Sequence, residues 1–293
     1  MQIIKTFKGL KIYSPAKINL FLEVIGKRKD GYHEIESIMQ TINLFDTLYL
    51  QQSRRSISIV TNCSELPSDD NNLAYRAAIL MQKEYHVKRG VKINLHKRIP
   101  IGGGLGGGSS NAAATLIGLN KLWELGLSKC ELVSLALRLG SDVPFFIYGG
   151  TALVKGRGEI VFPLLINRSF YYFLVAPTLI VPTKNIYNNL EIYLTKPIFN
   201  INIIVGKLLT QKVKYEEVKG LLYNRLESVA LNLYPVLRST YYALQKITVD
   251  GILLSGSGST IFKLCSCKKE ANYLLNLLSR KYLGNIFITK SLN

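Results

Sequence analysis

The sequence predicts an α+β fold in two lobes, and three observations carry that expectation. Segments with the two-residue period of strands alternate along the chain with segments at the spacing of helices. The chain has 293 residues, a length at which one hydrophobic core has nearly stopped growing and a second lobe is favoured. Hydrophobic residues make up 48% and charged residues 19%, with 23 Gly and 9 Pro scattered along the chain, which excludes a disordered, collagen-like or coiled-coil protein. The paired glycines Gly149-Gly150 and the run Gly156-Arg157-Gly158 punctuate a hairpin that leads out of the first lobe, so the lobes are expected at 1–158 and 159–293.

Each element has its own reason. From Lys11 to Val24, Ile18, Leu20, Leu22 and Val24 alternate with Lys17, Asn19, Phe21 and Glu23, so a strand puts Lys17 and Asn19 on one face. Lys27-Arg28-Lys29-Asp30-Gly31 is a turn, with Asp-Gly expected to supply the positive-φ positions, and Tyr32-His33 follow it. A second strand alternates through Val91, Ile93 and Leu95 and stops at Pro100. After a glycine tract, Ala112, Leu116, Leu119 and Trp123 recur at helical spacing with Gly126 as the stop. A further helix is expected from about Ser128 to Leu139, ending at Gly140 before Ser141-Asp142-Val143-Pro144. The second lobe offers strands at Tyr171 to Val175, Gly251 to Leu254, Thr260 to Leu264 and Ile286 to Lys290. Helices are expected between about Lys219 and Lys246 and near Lys269 to Leu283.

Thirty-seven Lys plus Arg against 19 Asp plus Glu give a formal charge of +18, which suits an anionic partner. The cations are mostly lysines spread along the chain, the pattern of a solvated basic surface or of affinity for a phosphate-rich small molecule. A nucleic-acid groove clusters arginine with exposed aromatics. Cys63, Cys130, Cys265 and Cys267 lack zinc spacing and are expected as reduced thiols. Met1 to Lys11 lacks the apolar core of a signal peptide, and the most apolar stretch, Phe170 to Val181, is broken by Pro177 and is far short of the about 20 residues a membrane span needs. The expectation is a soluble cytoplasmic protein that binds no membrane and no nucleic acid and needs no obligate protein partner.

The sharpest feature is Gly102-Gly103-Gly104-Leu105-Gly106-Gly107-Gly108-Ser109-Ser110, six glycines in seven residues between a strand and a helix. Such a backbone can aim several N–H groups at one anion, and Ser109 or Ser110 begins a helix whose positive dipole end adds to the attraction. A di- or triphosphate is the natural guest. A Rossmann site is disfavoured because no acidic residue ends the following strand, and a Walker loop because no Lys-Ser/Thr follows the glycines.

With Pro100-Ile101 before it and Asn111-Ala112-Ala113 after it, this loop resembles the phosphate loop of the GHMP small-molecule kinases. Ser14-Pro15-Ala16-Lys17-Ile18-Asn19-Leu20, Asp30-Gly31-Tyr32-His33, Gly140-Ser141-Asp142-Val143-Pro144-Phe145 and Ser255-Gly256-Ser257-Gly258-Ser259 resemble further motifs of that family, from Ser14 to Ser259. The resemblance implies an N-terminal domain like ribosomal protein S5, a ferredoxin-like C-terminal domain, and ATP as co-substrate with Mg²⁺. It implies that Asp142 is the general base for an alcohol acceptor, with Lys17 holding Asp142 ionised and steadying charge on the transferring phosphoryl group. The loop residues Gly102 to Ser110 would hold the phosphates, with Asn72 and Lys97 near the adenosine. Asn19, Tyr32, His33, Thr183 and Tyr187 would hold the acceptor. Its cytosine, part of a cytidine-diphosphate-linked small molecule, would stack between Tyr32 and Tyr187, with His33 reading its edge. No protein ligand of the metal is assigned; Ser109 or Ser110 can offer a hydroxyl.

Each residue also has a plainer role open to it: Asp142 as a helix cap, Lys17 and Lys97 as solvated lysines, Tyr32-His33 as hairpin packing, Asn72 as a loop asparagine. Two rival functions stand beside the main one. A GHMP kinase for mevalonate or homoserine has no base to stack on Tyr32-His33, and a basic nucleic-acid-binding protein predicts affinity that falls steeply with salt.

Overall fold

A computed structural model describes residues 1–191, 200–209, 213–248, 250–278 and 284–293. Its contacts group the chain into two compact units. The first holds Met1–Ala16, Leu44–Ile99 and Gly106–Gly149, and the second holds Lys17–Asn43, Pro100–Leu105 and Gly150–Asn293. This grouping interleaves along the sequence, whereas the division expected above is by position.

In the first unit, β1 (Gln2–Thr6) pairs antiparallel with the start of β2 (Gly9–Lys27). The end of β3 (His33–Ser53) pairs antiparallel with β5 (Gly90–His96), which takes β4 (Ile57–Thr61) in parallel. Helix α1 (Leu73–Glu84) buries Ala74, Ala77, Ala78 and Met81, so small residues make its inner face. Helix α2 (Gly107–Leu122) is central, with Ser110 through Leu116 all buried. Its Gly118 is a packing requirement, because a Cβ there would lie 2.3 Å from Ile12 Cδ1 and 2.5 Å from Leu50 Cδ1. Ser128 and Glu131 form a reciprocal capping box that starts α3 (Lys129–Leu137) as expected. Helix α4 (Val143–Tyr148) follows Asp142, with Pro144 in its first turn.

In the second unit the rest of β3 pairs with β6 (Thr151–Gly156), which forms a hairpin with β7 (Ile160–Leu164). The remainder of the chain builds an antiparallel sheet in the order β10 (Ile252–Leu254), β11 (Ile261–Cys265), β8 (Tyr171–Pro177), β12 (Gly284–Lys290). Helix α9 (Pro235–Ile247) lies between β8 and β10 in sequence, and α10 (Lys268–Leu278) between β11 and β12. First strand, helix, second and third strands, helix and fourth strand, in the spatial order four-one-three-two, make the expected ferredoxin-like topology. Shorter elements are α5 (Thr183–Asn188), α6 (Ile201–Leu208), α7 (Tyr215–Lys219), β9 (Tyr223–Asn224) and α8 (Glu227–Leu233).

The expected strands and helices are present among the described residues, with differences. The 21-residue β3 has no counterpart in the sequence reading, nor do β1, β4, α1, α4, α5, α6 and α7. In the first turn only Gly31 has positive φ, at +85°, because the loop is one residue longer than a two-residue hairpin: Arg28 N donates to Tyr32 O and Gly31 N to Arg28 O, so a single left-handed residue closes it. Helix α2 begins at Gly107 instead of Ser109 or Ser110, since Gly106 takes φ +67° at its N-cap. It ends at Trp123, ahead of Gly126, where Asn120 brackets the turn by bonding both Leu127 N and Leu127 O at 2.9 Å. Residues 279–283 of the helix expected near Lys269 to Leu283 lie outside the described residues.

Candidate active site

In the second unit a buried polar pair stands on β2. Lys17 is 4% exposed and Asn19 fully buried, and their two-residue spacing puts them on one face, where Lys17 Nζ donates to Asn19 Oδ1 at 2.6 Å. Asn19 Nδ2 donates to Ser37 Oγ at 2.8 Å, and Ser37 Oγ donates to Phe21 O at 2.6 Å. The solvated-lysine role is thereby excluded for Lys17: burying an ammonium requires acceptors, and the chain supplies them.

Two glycine-rich loops meet beside that pair. Leu105 O accepts from Lys17 N at 2.9 Å, and Gly103 O accepts from Thr260 N at 3.1 Å. Ser255 Oγ donates to Gly104 O at 3.0 Å. Gly104 has φ +72°, and a Cβ on it would lie 2.0 Å from Ser255 O, so only glycine permits this approach. Across the loop, Ser257 Oγ and Thr183 Oγ1 are hydrogen-bonded at 2.9 Å, and Ser259 Oγ donates to Leu179 O at 2.6 Å. Thr183, expected on the acceptor side, therefore touches the serine–glycine loop.

The expected aromatic pair is arranged differently. The ring stacked on Tyr187 is His33, with centroids 4.8 Å apart at 30°. Tyr32 is 51% exposed, and the Arg157 guanidinium lies 4.9 Å from its ring centroid. Burial, with Lys27 nearby adding to it, holds the His33 imidazole below its ordinary pKa of 6.5, so it is neutral at pH 7, with one nitrogen donating and one accepting.

The first unit carries the other half of the glycine tract. Gly106, Gly107 and Gly108 lead into α2 with their N–H groups in its first turn, and Gly108 and Ser109 keep exposure while Ser110 is buried. Ser14 Oγ donates to Ser110 Oγ at 2.7 Å, which takes that hydroxyl into the interior, while Ser109 is half-buried. Lys97 is not a solvated lysine. Its ammonium pairs with Asp46 and donates to Asn111 Oδ1 at 3.3 Å, and a Cβ on Gly107 would lie 3.0 Å from it. Fully buried Asp46 also accepts from Arg98 N at 2.7 Å, Ile99 N at 2.9 Å and Asn111 Nδ2 at 3.0 Å. Asn72 caps α1: its Oδ1 accepts from Ala74 N at 3.0 Å and its Nδ2 donates to Pro67 O at 3.0 Å. Asp142 occupies the N-cap position of α4, yet its side chain makes no capping hydrogen bond, so its carboxylate does not serve that helix end as a cap would.

Sequence reasoning missed Asp46, Ser37 and Asn224, and named Ser14 only as the start of a motif. Asp46 lies within a strand pattern, Leu44-Phe45-Asp46-Thr47-Leu48, where an acidic residue looks like a surface position. Asn111 carried a signal, as an asparagine opening an alanine-rich helix. Among the described residues no group of three or more His, Cys, Asp and Glu is placed to hold a metal ion, and no helix is long and apolar enough to cross a membrane.

The sequence profile of the GHMP kinases N terminal domain matches residues 72–150. Together with the loop and the ferredoxin-like sheet, it defines a GHMP-type small-molecule kinase scaffold. The chain is 42% identical over 266 residues to 4-diphosphocytidyl-2-C-methyl-D-erythritol kinase of Shouchella clausii (strain KSM-K16), covering 90% of this chain and 89% of that relative. It is 40% identical over 286 residues to the kinase of the same name from Geobacillus kaustophilus (strain HTA426), covering 97% of each. A crystal structure of 4-(cytidine 5'-diphospho)-2C-methyl-D-erythritol kinase is similar with a TM-score of 0.81 at 32% identity, covering 97% of this chain and 99% of that one. The chain belongs to the 4-diphosphocytidyl-2-C-methyl-D-erythritol kinase family of GHMP kinases.

Proposed function

We propose that this chain transfers the γ-phosphoryl group of ATP to the 2-hydroxyl of 4-diphosphocytidyl-2-C-methyl-D-erythritol, giving the 2-phosphate and ADP, a step in non-mevalonate isoprenoid precursor synthesis in the cytoplasm. The observation that carries this reading is the 40% identity across 97% of both chains to a kinase of that name. The domains are taken as 1–158 and 159–293. The acceptor oxygen attacks the γ-phosphorus as the bond to the β-phosphate oxygen breaks, and the hydroxyl proton passes to the Asp142 carboxylate. Lys17, buried and oriented by Asn19, supplies positive charge to the transferring group.

The main-chain N–H groups from Gly102 to Ser110 cradle the phosphates, and Lys97, fixed by Asp46 beside Gly107, adds a cation at the start of α2. Mg²⁺ neutralises charge on the β- and γ-phosphates when bound. A metal held chiefly by triphosphate oxygens would need only one or two protein ligands, and the half-buried Ser109 would offer its hydroxyl as one. Tyr32, His33, Thr183 and Tyr187 receive the cytidine diphosphate end, and Asn72 shapes the adenosine side by capping α1. The test is ADP release from ATP with the cytidine substrate, mevalonate or homoserine as acceptor. Turnover with the cytidine compound alone is expected, and preference for either other alcohol overturns the assignment.

A further inference from the structure

We propose that Asn224 is a positioning residue for phosphoryl transfer: its side-chain amide holds the Ser255–Ser259 loop against Lys17 and Asn19. The proposal rests on the reading of Lys17 as part of the transfer site. Asn224 is 6% exposed and sits on β9, whose two residues pair in parallel with Phe21 and Leu22 of β2. Arg225 N extends that pairing by donating to Leu22 O at 2.8 Å. The strand that carries Lys17 and Asn19 therefore also anchors Asn224.

From that anchor the amide reaches the other loop. Asn224 Nδ2 spends both hydrogens on main-chain carbonyls, Leu254 O at 2.8 Å and Gly256 O at 2.7 Å, and Asn224 Oδ1 accepts from Leu226 N at 2.9 Å. The Leu226 N–H fixes which end of the amide is oxygen, so the two hydrogens necessarily face the loop. Glu227 Oε2 accepts from Leu254 N at 2.7 Å, which pins the same residue from its other polar group. Gly256, with φ +57°, is the next link: a Cβ there would lie 3.3 Å from Lys17 Nζ and 3.3 Å from Asn19 Oδ1, so its backbone packs directly on the pair. Ser255, one residue earlier, bonds Gly104 O of the phosphate loop. A displacement of Gly256 thus reaches both the ammonium and the glycine loop, and a misplacement near 1 Å is enough to cost about 10²-fold in rate.

Asn224→Asp tests this with no change of shape. The carboxylate keeps the acceptor for Leu226 N but offers no hydrogen to the two carbonyls, which then face negative charge. Burial and those carbonyls raise the new carboxyl group's pKa, so on acidification it protonates and again donates to one of them. The expected result for folded protein at about pH 8 is a kcat lowered by about 10- to 100-fold, with the KM for ATP within about threefold of wild type. The variant-to-wild-type kcat ratio should then climb as the pH is lowered to about 6. A kcat within about twofold of wild type, or a deficit equal at every pH, overturns the proposal. If Asn224→Asp does not fold, Asn224→Ser, which keeps one donor, is expected to lose about tenfold in kcat, and a loss under about twofold overturns it equally. Lys17→Met separates the two layers. If that variant stays active the site reading itself fails, whereas an inactive Lys17→Met beside an indifferent Asn224→Asp sinks only the positioning role.

Discussion

Lys17, Asn19, Asp46 and Asn224 are polar side chains on strands, and all four are nearly or fully buried, a state that persists only where each finds partners. The partners differ in kind. Asp46 receives an ammonium, an amide and two backbone N–H groups, while Asp142 makes no capping bond at its helix end. Asp46 is thereby committed to structure, the proposed proton transfer falls to Asp142, and Asp142→Asn tests it. The amide keeps the size and loses the base, so kcat should fall by about 10²-fold or more with ATP binding retained; turnover near wild type would leave Asp142 a mere helix-end residue. His33 gives a pH prediction of definite sign. Its native pKa lies below the ordinary 6.5, so the unfolded state binds the proton more readily. Stability from this group is complete above about pH 6.5 and is lost as the pH falls from there through the lower native pKa. The KM for the cytidine substrate should likewise be flat from about pH 8 to 6.5 and rise below, when the acceptor nitrogen is protonated. His33→Gln, which donates and accepts without titrating, should flatten the profile, and an unchanged profile in that variant would assign the titration elsewhere.

Among elements, the glycine tract is where sequence and geometry agree most closely. Gly102, Gly104 and Gly106 all have φ near +70°, a region that β-branched residues avoid. Gly106→Val is therefore expected to abolish measurable ATP binding in calorimetry while the cytidine substrate still binds; ATP affinity equal to wild type in the folded variant contradicts the phosphate cradle. Such features were legible because they depend on local chemistry: a glycine run between a strand pattern and a helix pattern, and an i, i+2 pair on one strand face. The second strand of the Lys27–Gly31 turn was not legible as 21 residues, because its burial is continuous from Ser37 to Ile42 and takes up a two-residue period only from Ile42 to Gln51. Helix α2 gave its periodicity but not its start, which a left-handed glycine determines and a serine does not. Asn224 was invisible for a different reason. Its meaning lies in carbonyls 30 and 32 residues further along the chain, and nothing in Tyr223-Asn224-Arg225 announces them.

At the scale of the molecule the question is what the charge of +18 does. Lys17 and Lys263 are buried, and Lys97 is closed in an ion pair with Asp46, so these three cannot contribute to a surface that tracks a phosphate backbone. The remaining cations are dispersed, and dispersed charge raises the local concentration of small anions without fixing the register of a polymer. ATP and a cytidine diphosphate both carry several negative charges, and their attraction to such a surface is screened as the Debye length shrinks from about 10 Å at 0.1 M salt to about 3 Å at 1 M. Raising salt from about 0.05 to 0.5 M should therefore increase the KM of both substrates several-fold. The kcat should change little, because bound phosphates and the buried Lys17 are shielded from added ions. A nucleic-acid-binding protein behaves differently: neutralising six or more phosphates costs about 10³-fold or more in affinity between 50 and 200 mM salt. Filter binding of duplex DNA and single-stranded RNA at those two concentrations is expected to show only weak retention that disappears at the higher one. Tight retention persisting at 200 mM would mean that the basic surface has a polymeric partner, and that steering of small anions is not its main use.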